Sequence, residues 1–305
     1  MAKRGWGANW ALTDILIVSD GKAGHRNQSL GLAEALVRLG SATTIEQMAP
    51  LSRYHAVMAL IFGRLPWSRE KPRLIVGAGH GTHLTMLALK RCWRVPVIVL
   101  MKPSLPFFLF DLCLIPEHDS PPSRGNVAAT RGALNRIRPG VKVPGSGLVL
   151  VGGPSRNNDW DETQLAAQVD QVCKRSPGSW TVATSRRTPA STVRRLESLT
   201  GIELVLAENT TPDWLPKKLA TAGQCWVTED SVSMVYEALT AGCAVGLLPV
   251  PWRREGRLLR GVNALKGQGL LTPFERWSGE PLPAPLQILN EADRCADIVR
   301  SRGLI

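Results

Sequence analysis

An aspartate and a histidine five positions apart, on a stretch loosened by two glycines, have the types and spacing for proton transfer. They are Asp20 and His25 in "SDGKAGHRNQSLGLAEAL", residues 19–36, where Gly21 and Gly24 permit a tight path. Lys22 and Gln28 lie beside them, and Asn27 or Ser29 can cap a following helix. A second glycine-rich stretch, "VGAGHGTH" at 76–83, offers Gly79 and His80. Its spacing is G-x-G-x-G, not the dinucleotide fingerprint, and no acidic residue ends the next apolar run, which argues against a Rossmann dehydrogenase.

Two further stretches suit an anion. In "VGGPSRNNDW", 151–160, Gly152 and Gly153 can present backbone N–H groups as a nest, with Ser155 and Arg156 adding a hydroxyl and a cation. In "TSRRTP", 184–189, Ser185 precedes Arg186 and Arg187, and guanidinium pairs suit a diphosphate. A solvated basic loop accounts equally well for either arginine alone. The densest polar run is "VTEDSVSMVYEALTAG", 227–242. Thr228, Glu229, Asp230, Ser231 and Ser233 crowd the start of a helical pattern that one capping residue would satisfy. With Asp230 as N-cap, the first amides and the positive helix end form an anion site. Glu237, four residues after Ser233, shares its face and fits the vicinal hydroxyls of a ribose. The acidic pair would repel a diphosphate, so the neighbouring arginines are needed.

These clusters require strands to carry them. Short apolar runs alternate with amphipathic ones, the pattern of βα units and parallel sheets. Strands are expected at 14–18, 43–47, 73–76, 95–100, 112–115 and 127–130, then at 148–151, 180–184, 203–206, 224–227 and 244–248. Helices fit 28–39, 54–62, 82–92, 162–174, 190–199, 212–221, 231–241, 258–266 and 287–300. The fold class is therefore α/β: two Rossmann-like doubly wound domains facing a cleft. The first spans 1–145, the second 146–286, and helix 287–303 can pack back on the first. Each cluster falls at the carboxyl end of a strand, where doubly wound sheets bind ligands.

The totals set the class. At 305 residues, 44% hydrophobic and 20% charged, the chain can bury two cores. Lys and Arg number 37 against 25 Asp and Glu, giving +12 and favouring anionic partners. Six scattered cysteines form no C-x-x-C pair and read as free thiols in a reducing compartment. The residues before Asp20 show no convincing targeting segment, and no apolar run is long enough to span a bilayer. The basic residues are spread without a recognition motif, so no nucleic-acid partner is expected.

"DGKAGHRNQSLGLAEAL", "VGGPSR", "TSRRTP" and "VTEDSVSMVYEALTAG", in this order, resemble the bacterial branch of the mitochondrial fission ELM family, and more loosely the donor site of MurG-type enzymes. The resemblance covers residues 14–248 and departs at Cys243-Ala244, where many such sites have a proline after the helix-ending glycine. It implies the GT-B architecture and glycosyl transfer from a nucleotide-diphosphate-sugar held by the C-terminal domain. Donor binding is then expected at Gly153, Ser155, Arg156, Ser185, Arg186, Arg187, Thr228, Asp230, Ser231, Ser233, Met234 and Glu237. Gly21, Lys22, Gly24, Gln28, Gly79 and His80 are expected to line the cleft.

The base is Asp20 or His25, with slight preference for the carboxylate. No cofactor or metal is expected, the nucleotide sugar being a substrate. The stretches 54–73 and 103–110 mix apolar, aromatic and basic residues, which suits an anionic glycolipid acceptor such as lipopolysaccharide core, or the inner-leaflet surface, and a cytoplasmic or peripheral location. A nucleotide-sugar epimerase or hydrolase, and a non-catalytic nucleotide-binding scaffold, are the alternative readings.

Overall fold

The computed structural model describes residues 13–65, 67, 68, 70–254 and 256–305. The segment before residue 13, with Lys3 and Arg4, lies outside them. The chain divides into two units, one running to Arg136 and resuming at Glu291–Ile305, the other Ile137–Asn290.

Unit 1 is a six-stranded parallel sheet: β1 (Ile15–Val18), β2 (Ile45–Met48), β3 (Leu74–Ala78), β4 (Val97–Leu100), β5 (Leu112–Pro116) and β6 (Val127–Thr130). The spatial order is β2-β1-β3-β4-β5-β6. Every residue of β1, β3, β4 and β5 is buried, as continuous apolar runs in a doubly covered sheet must be. Helices α1 (Ala23–Arg38), α2 (Arg53–Phe62) and α3 (His83–Trp93) follow β1, β2 and β3. Chain order reverses between β1 and β3, so their carboxyl ends open on the switch point where doubly wound folds bind ligands.

Unit 2 repeats the plan with β7 (Val143–Val151), β8 (Ser179–Thr184), β9 (Ile202–Val205), β10 (Ala222–Thr228), β11 (Ala244–Leu248) and β12 (Thr272–Pro273). Its order is β12-β11-β10-β7-β8-β9, and the switch point lies between β7 and β10. The connecting helices are α4 (Glu162–Arg175), α5 (Ala190–Glu197), α6 (Trp214–Thr221), α7 (Val232–Ala241) and α8 (Arg257–Gly267). Under the sheet Trp226 meets Trp277 edge to face at 5.1 Å.

The boundary falls at 136/137, not at 145/146. Ile137 already belongs to the second core, and β7 starts at Val143, before its apolar run, because Ser146 and Gly147 pair with Ser179 and Trp180. The last helix, α9 (Glu291–Ser301), packs Ala292, Cys295, Ala296 and Val299 into the unit 1 core beside α1. None of the six cysteines is in a disulfide.

Several helix starts also differ from expectation, α6 beginning at Trp214 rather than at 212 and α9 at Glu291 rather than at 287. Helix α1 begins at Ala23 rather than at 28, so Asn27 and Ser29 do not cap it and Ser29 is buried. Weak helix formers at Gly24, His25 and Asn27 hide that first turn in the sequence, and packing overrides propensity there. Helix α7 has Ser231 as its N-cap, not Asp230.

Candidate active site

In unit 2 the loops after β7, β8 and β10, three adjacent strands, are bonded to one another. The Gly152 N–H donates to Thr228 Oγ1 at 2.8 Å, and the Gly153 N–H to Asp230 Oδ2 at 3.1 Å. Arg187 closes the arrangement, donating to Asp230 Oδ2 at 2.7 Å and to the Gly153 carbonyl at 2.9 Å. Ser185 Oγ and Thr188 Oγ1 both donate to the Gly152 carbonyl, at 3.0 and 2.6 Å. Only glycine fits here: a Cβ on Gly152 would lie 2.2 Å from Asp230 Oδ2, and one on Gly153 2.2 Å from the Arg187 carbonyl oxygen.

This geometry corrects several expected roles. The Gly152–Gly153 nest is closed, because both N–H groups are committed internally. Asp230 does not cap α7; its fully buried side chain is held by Gly153 and Arg187. Its other oxygen, Oδ1, is buried with no hydrogen-bond partner among the described residues, a rarity in native proteins. Glu229 is also withdrawn, paired with Lys266 and accepting from Trp252 Nε1 at 3.2 Å. Ser155 turns inward, donating to Asn158 and accepting from the Asn157 N–H at 3.1 Å.

The crowded carboxylates and hydroxyls thus brace the loops, and the repulsion they would exert on an anion is offset by Arg187 and Lys266. What these pairings leave uncapped is the helix start. Ser231 is buried and makes no side-chain bond to α7, whose first N–H groups have no intrahelical acceptor. Ser233, Arg186 and Arg156 are exposed, while Met234 and Glu237 are partly exposed one helical face along.

In unit 1 the structure brings Asp20 and His25 together. His25 Nδ1 lies 2.9 and 3.1 Å from the two carboxylate oxygens. The Lys22 N–H donates to Asp20 at 3.2 Å, and the Lys22 ammonium is 3.9 Å away. Burial pushes the Asp20 carboxyl up, but the bonds from His25 and the Lys22 amide, with both neighbouring charges, hold it below the ordinary carboxylate value. In the neutral imidazole, a carboxylate at Nδ1 favours the tautomer with the proton there and the lone pair at Nε2.

Gly79, at φ +82°, carries the chain past the imidazole; a Cβ there would stand 2.3 Å from His25 Cε1. Gly21 also needs its positive φ of 82°. Lys22, Gly24 and His80 are exposed and Gln28 is half-buried around the pair. Both Asp20 oxygens lie within bonding distance of His25 Nδ1, and the basicity of the carboxylate is lowered.

Sequence reasoning passed over His83, in the first turn of α3. It is buried beside Phe110, with Nδ1 3.2 Å from Ser104 Oγ. Burial, with a smaller push from His80, lowers its pKa to about 4. Its three-residue spacing from His80 was a legible signal. Trp252 and Lys266, the partners of Glu229, carried none. Among the described residues no group of three or more His, Cys, Asp or Glu could hold a metal ion.

The chain is similar in fold to several glycosyltransferases. A glycotransferase of kitacinnamycin matches with a TM-score of 0.54 at 14% identity, over 96% of this chain and 99% of that one. CalG4, the calicheamicin glycosyltransferase, matches at 0.50 and 15% identity, over 96% of each. SnogD from Streptomyces nogalater matches at 0.50 and 15% identity, over 97% of this chain and 95% of that one.

A curated protein of Rickettsia prowazekii (strain Madrid E), the uncharacterized protein RP120, is 25% identical over 119 residues. That match covers 35% of this chain and only 32% of the relative. The model of the mitochondrial fission ELM1 family matches residues 23–303, a span that contains His25, the unit 2 switch point and α9 but begins after β1 and Asp20. With the two parallel six-stranded sheets of a GT-B protein, this chain is a member of the mitochondrial fission ELM1 family.

Proposed function

We propose that the protein is a metal-independent GT-B glycosyltransferase that moves a sugar from a nucleotide-diphosphate-sugar to a hydroxyl of an envelope glycolipid, lipopolysaccharide core being one such acceptor. It would work in the cytoplasm, peripherally at the inner membrane; no helix of the described residues is long and apolar enough to cross one. The observation that carries the reading is the start of α7 at the unit 2 switch point, whose first N–H groups have no intrahelical acceptor and no side-chain cap. Its nearby carboxylates are turned away and paired, while Arg186 stands exposed on the adjacent loop. That combination suits a diphosphate, and Glu237 suits the ribose.

In this mechanism unit 1 supplies the base. His25 Nε2 takes the acceptor hydroxyl proton, the freed oxygen forms a bond to the sugar's anomeric carbon, and the bond from that carbon to the diphosphate oxygen breaks. The electron pair leaves with the nucleoside diphosphate, whose charge is met by the α7 amides and Arg186. Asp20 offsets the imidazolium that forms, as the carboxylate does in a hydrolase triad.

The test measures donor binding and turnover separately across nucleoside diphosphates and their sugars. His25→Ala should lower turnover by about 10²–10⁴-fold with donor affinity unchanged. Asp20→Asn should lower it as well, by freeing the wrong tautomer. Full turnover in both His25→Ala and Asp20→Ala would remove the pair from the chemistry. Tight nucleotide binding without turnover on any donor would instead make the chain a non-catalytic scaffold, and free sugar or an epimer formed without acceptor would make it a hydrolase or epimerase.

A further inference from the structure

Helix α2 faces the wrong way for a helix in water. Its fully buried residues are small, Ala56 and Ala59, packed against Ala88 of α3 with Leu60 partly buried beside them. Four of its large residues point outward: Tyr54 is 69% exposed, Ile61 59% and Phe62 68%, with Val57 between them. Tyr54, Val57 and Ile61 are spaced i, i+3, i+7, one continuous stripe. Phe108, 74% exposed, extends it across a cavity of about 680 Å³ that is also lined by Leu60, Leu87, Arg91 and Arg94. Apolar surface of this size costs about 25 cal/mol per Å² to leave in water, and large exposed patches mark interaction sites.

Charge selects the occupant. Between residues 47 and 110 the sequence has nine Lys and Arg (53, 64, 69, 71, 73, 90, 91, 94, 102) and one acid, Glu70. Two of the nine are paired with acids outside that span, Lys90 with Asp111, which lines the same cavity, and Arg73 with Asp14. Arg53, Arg64, Arg91 and Arg94 are exposed, and none is in a salt bridge among the described residues. They stand at the two ends of the apolar stripe and beside the cavity. A second copy of the same face would bring like charges together, and nucleic acid gives an aliphatic and phenyl stripe nothing to enter.

We propose that the outer face of α2, with Phe108, inserts into the headgroup region of an anionic lipid bilayer while the flanking arginines engage lipid phosphates. Basic residues ringing a shallow apolar wedge are the arrangement of interfacial binding. The proposal deepens the acceptor half of the function above by naming the surface that reaches a lipid-borne acceptor, and it requires nothing of the donor site.

The experiment floats the full chain with vesicles of phosphatidylcholine containing phosphatidylglycerol and with vesicles of phosphatidylcholine alone. Nucleotide binding and thermal melting are measured on every variant, so that a failure here is separable from a failure of the donor site and from unfolding. Binding is expected to the anionic vesicles alone and to weaken with salt. The doubly substituted I61D/F62D should lose it. The pair R91Q/R94Q should bind about 25-fold more weakly, two factors of about five for two phosphate-facing cations.

Full flotation of I61D/F62D, or no binding by the unaltered chain, would overturn the proposal. So would a dimer of the unaltered chain that I61D/F62D abolishes in the absence of lipid, which would give the face to a second copy.

Discussion

Arg186 and Arg187 are adjacent in sequence and opposite in role. Arg187 compensates the buried Asp230 carboxylate, so Arg187→Ala leaves that charge unpaired and should cost about 2–3 kcal/mol of stability, the lower part of the range because the guanidinium is partly exposed. Arg186 is exposed, and Arg186→Ala should change stability by less than about 0.5 kcal/mol while weakening nucleoside diphosphate binding about ten-fold. Denaturant unfolding and nucleotide titration of both variants check the contrast. Nothing in "TSRRTP" distinguishes the two: which arginine turns inward is set by Asp230, 43 residues away along the chain and on another strand end.

His83 makes stability depend on pH. Its folded pKa of about 4 lies below the unfolded value of 6.5, so between these values the unfolded chain binds the extra proton. Stability is then fully present above pH 6.5 and lost as pH falls towards 4, by up to about 3 kcal/mol for this group. His83→Gln should flatten the fall in melting temperature across that window, where the paired carboxylates contribute little. Asp20 adds a separate loss only at lower pH, because its folded value is depressed below 3.8 and its contribution disappears as pH drops through that depressed value.

At the scale of elements, much of the fold was legible, because every strand-loop-helix unit prints a change of hydrophobic period. Strands β6 and β11 fall where the sequence put them, at 127–130 and 244–248. The misses share a cause. The early start of β7, the first turn of α1 and the two-residue β12 have no periodic signal of their own and depend on a neighbour already being in place.

Helix α9 shows what such a neighbour contributes. The buried Glu291 carboxylate accepts from the Arg131 N–H at 2.9 Å and from Arg294, which also donates to the Ala129 carbonyl at 2.7 Å. Glu291→Ala should cost about 2 kcal/mol. Hydrogen exchange should show faster exchange at β6 and α1, with β10 unchanged; equal loss at β10 would mean that α9 supports both units.

At the scale of the whole molecule, the candidate site was legible as four places and illegible as roles. The positions of the clusters follow from parallel topology, which sends every strand end to one side of its sheet and two pairs of ends to the switch points. The roles depend on side-chain pairing across strands that are distant in sequence. Thr228 to Gly152, Asp230 to Gly153 and Glu229 to Lys266 are such pairings, and they turned expected ligand contacts into bracing. The charge total behaved differently. It read as a general preference for anions, with 54–73 and 103–110 as the mixed apolar and basic stretches, and the folded α2 places exposed Arg53 and Arg64 at the ends of one apolar stripe.

Because Ile137–Asn290 is inserted within unit 1, translation order and assembly order cannot coincide. The inserted body has all its strands once residue 290 leaves the ribosome, while the body begun first still lacks the piece that covers Leu36 and its neighbours. A nascent chain halted shortly after residue 290 would carry one finished half and one with an uncovered greasy flank. Such a chain would be held by chaperones or degraded.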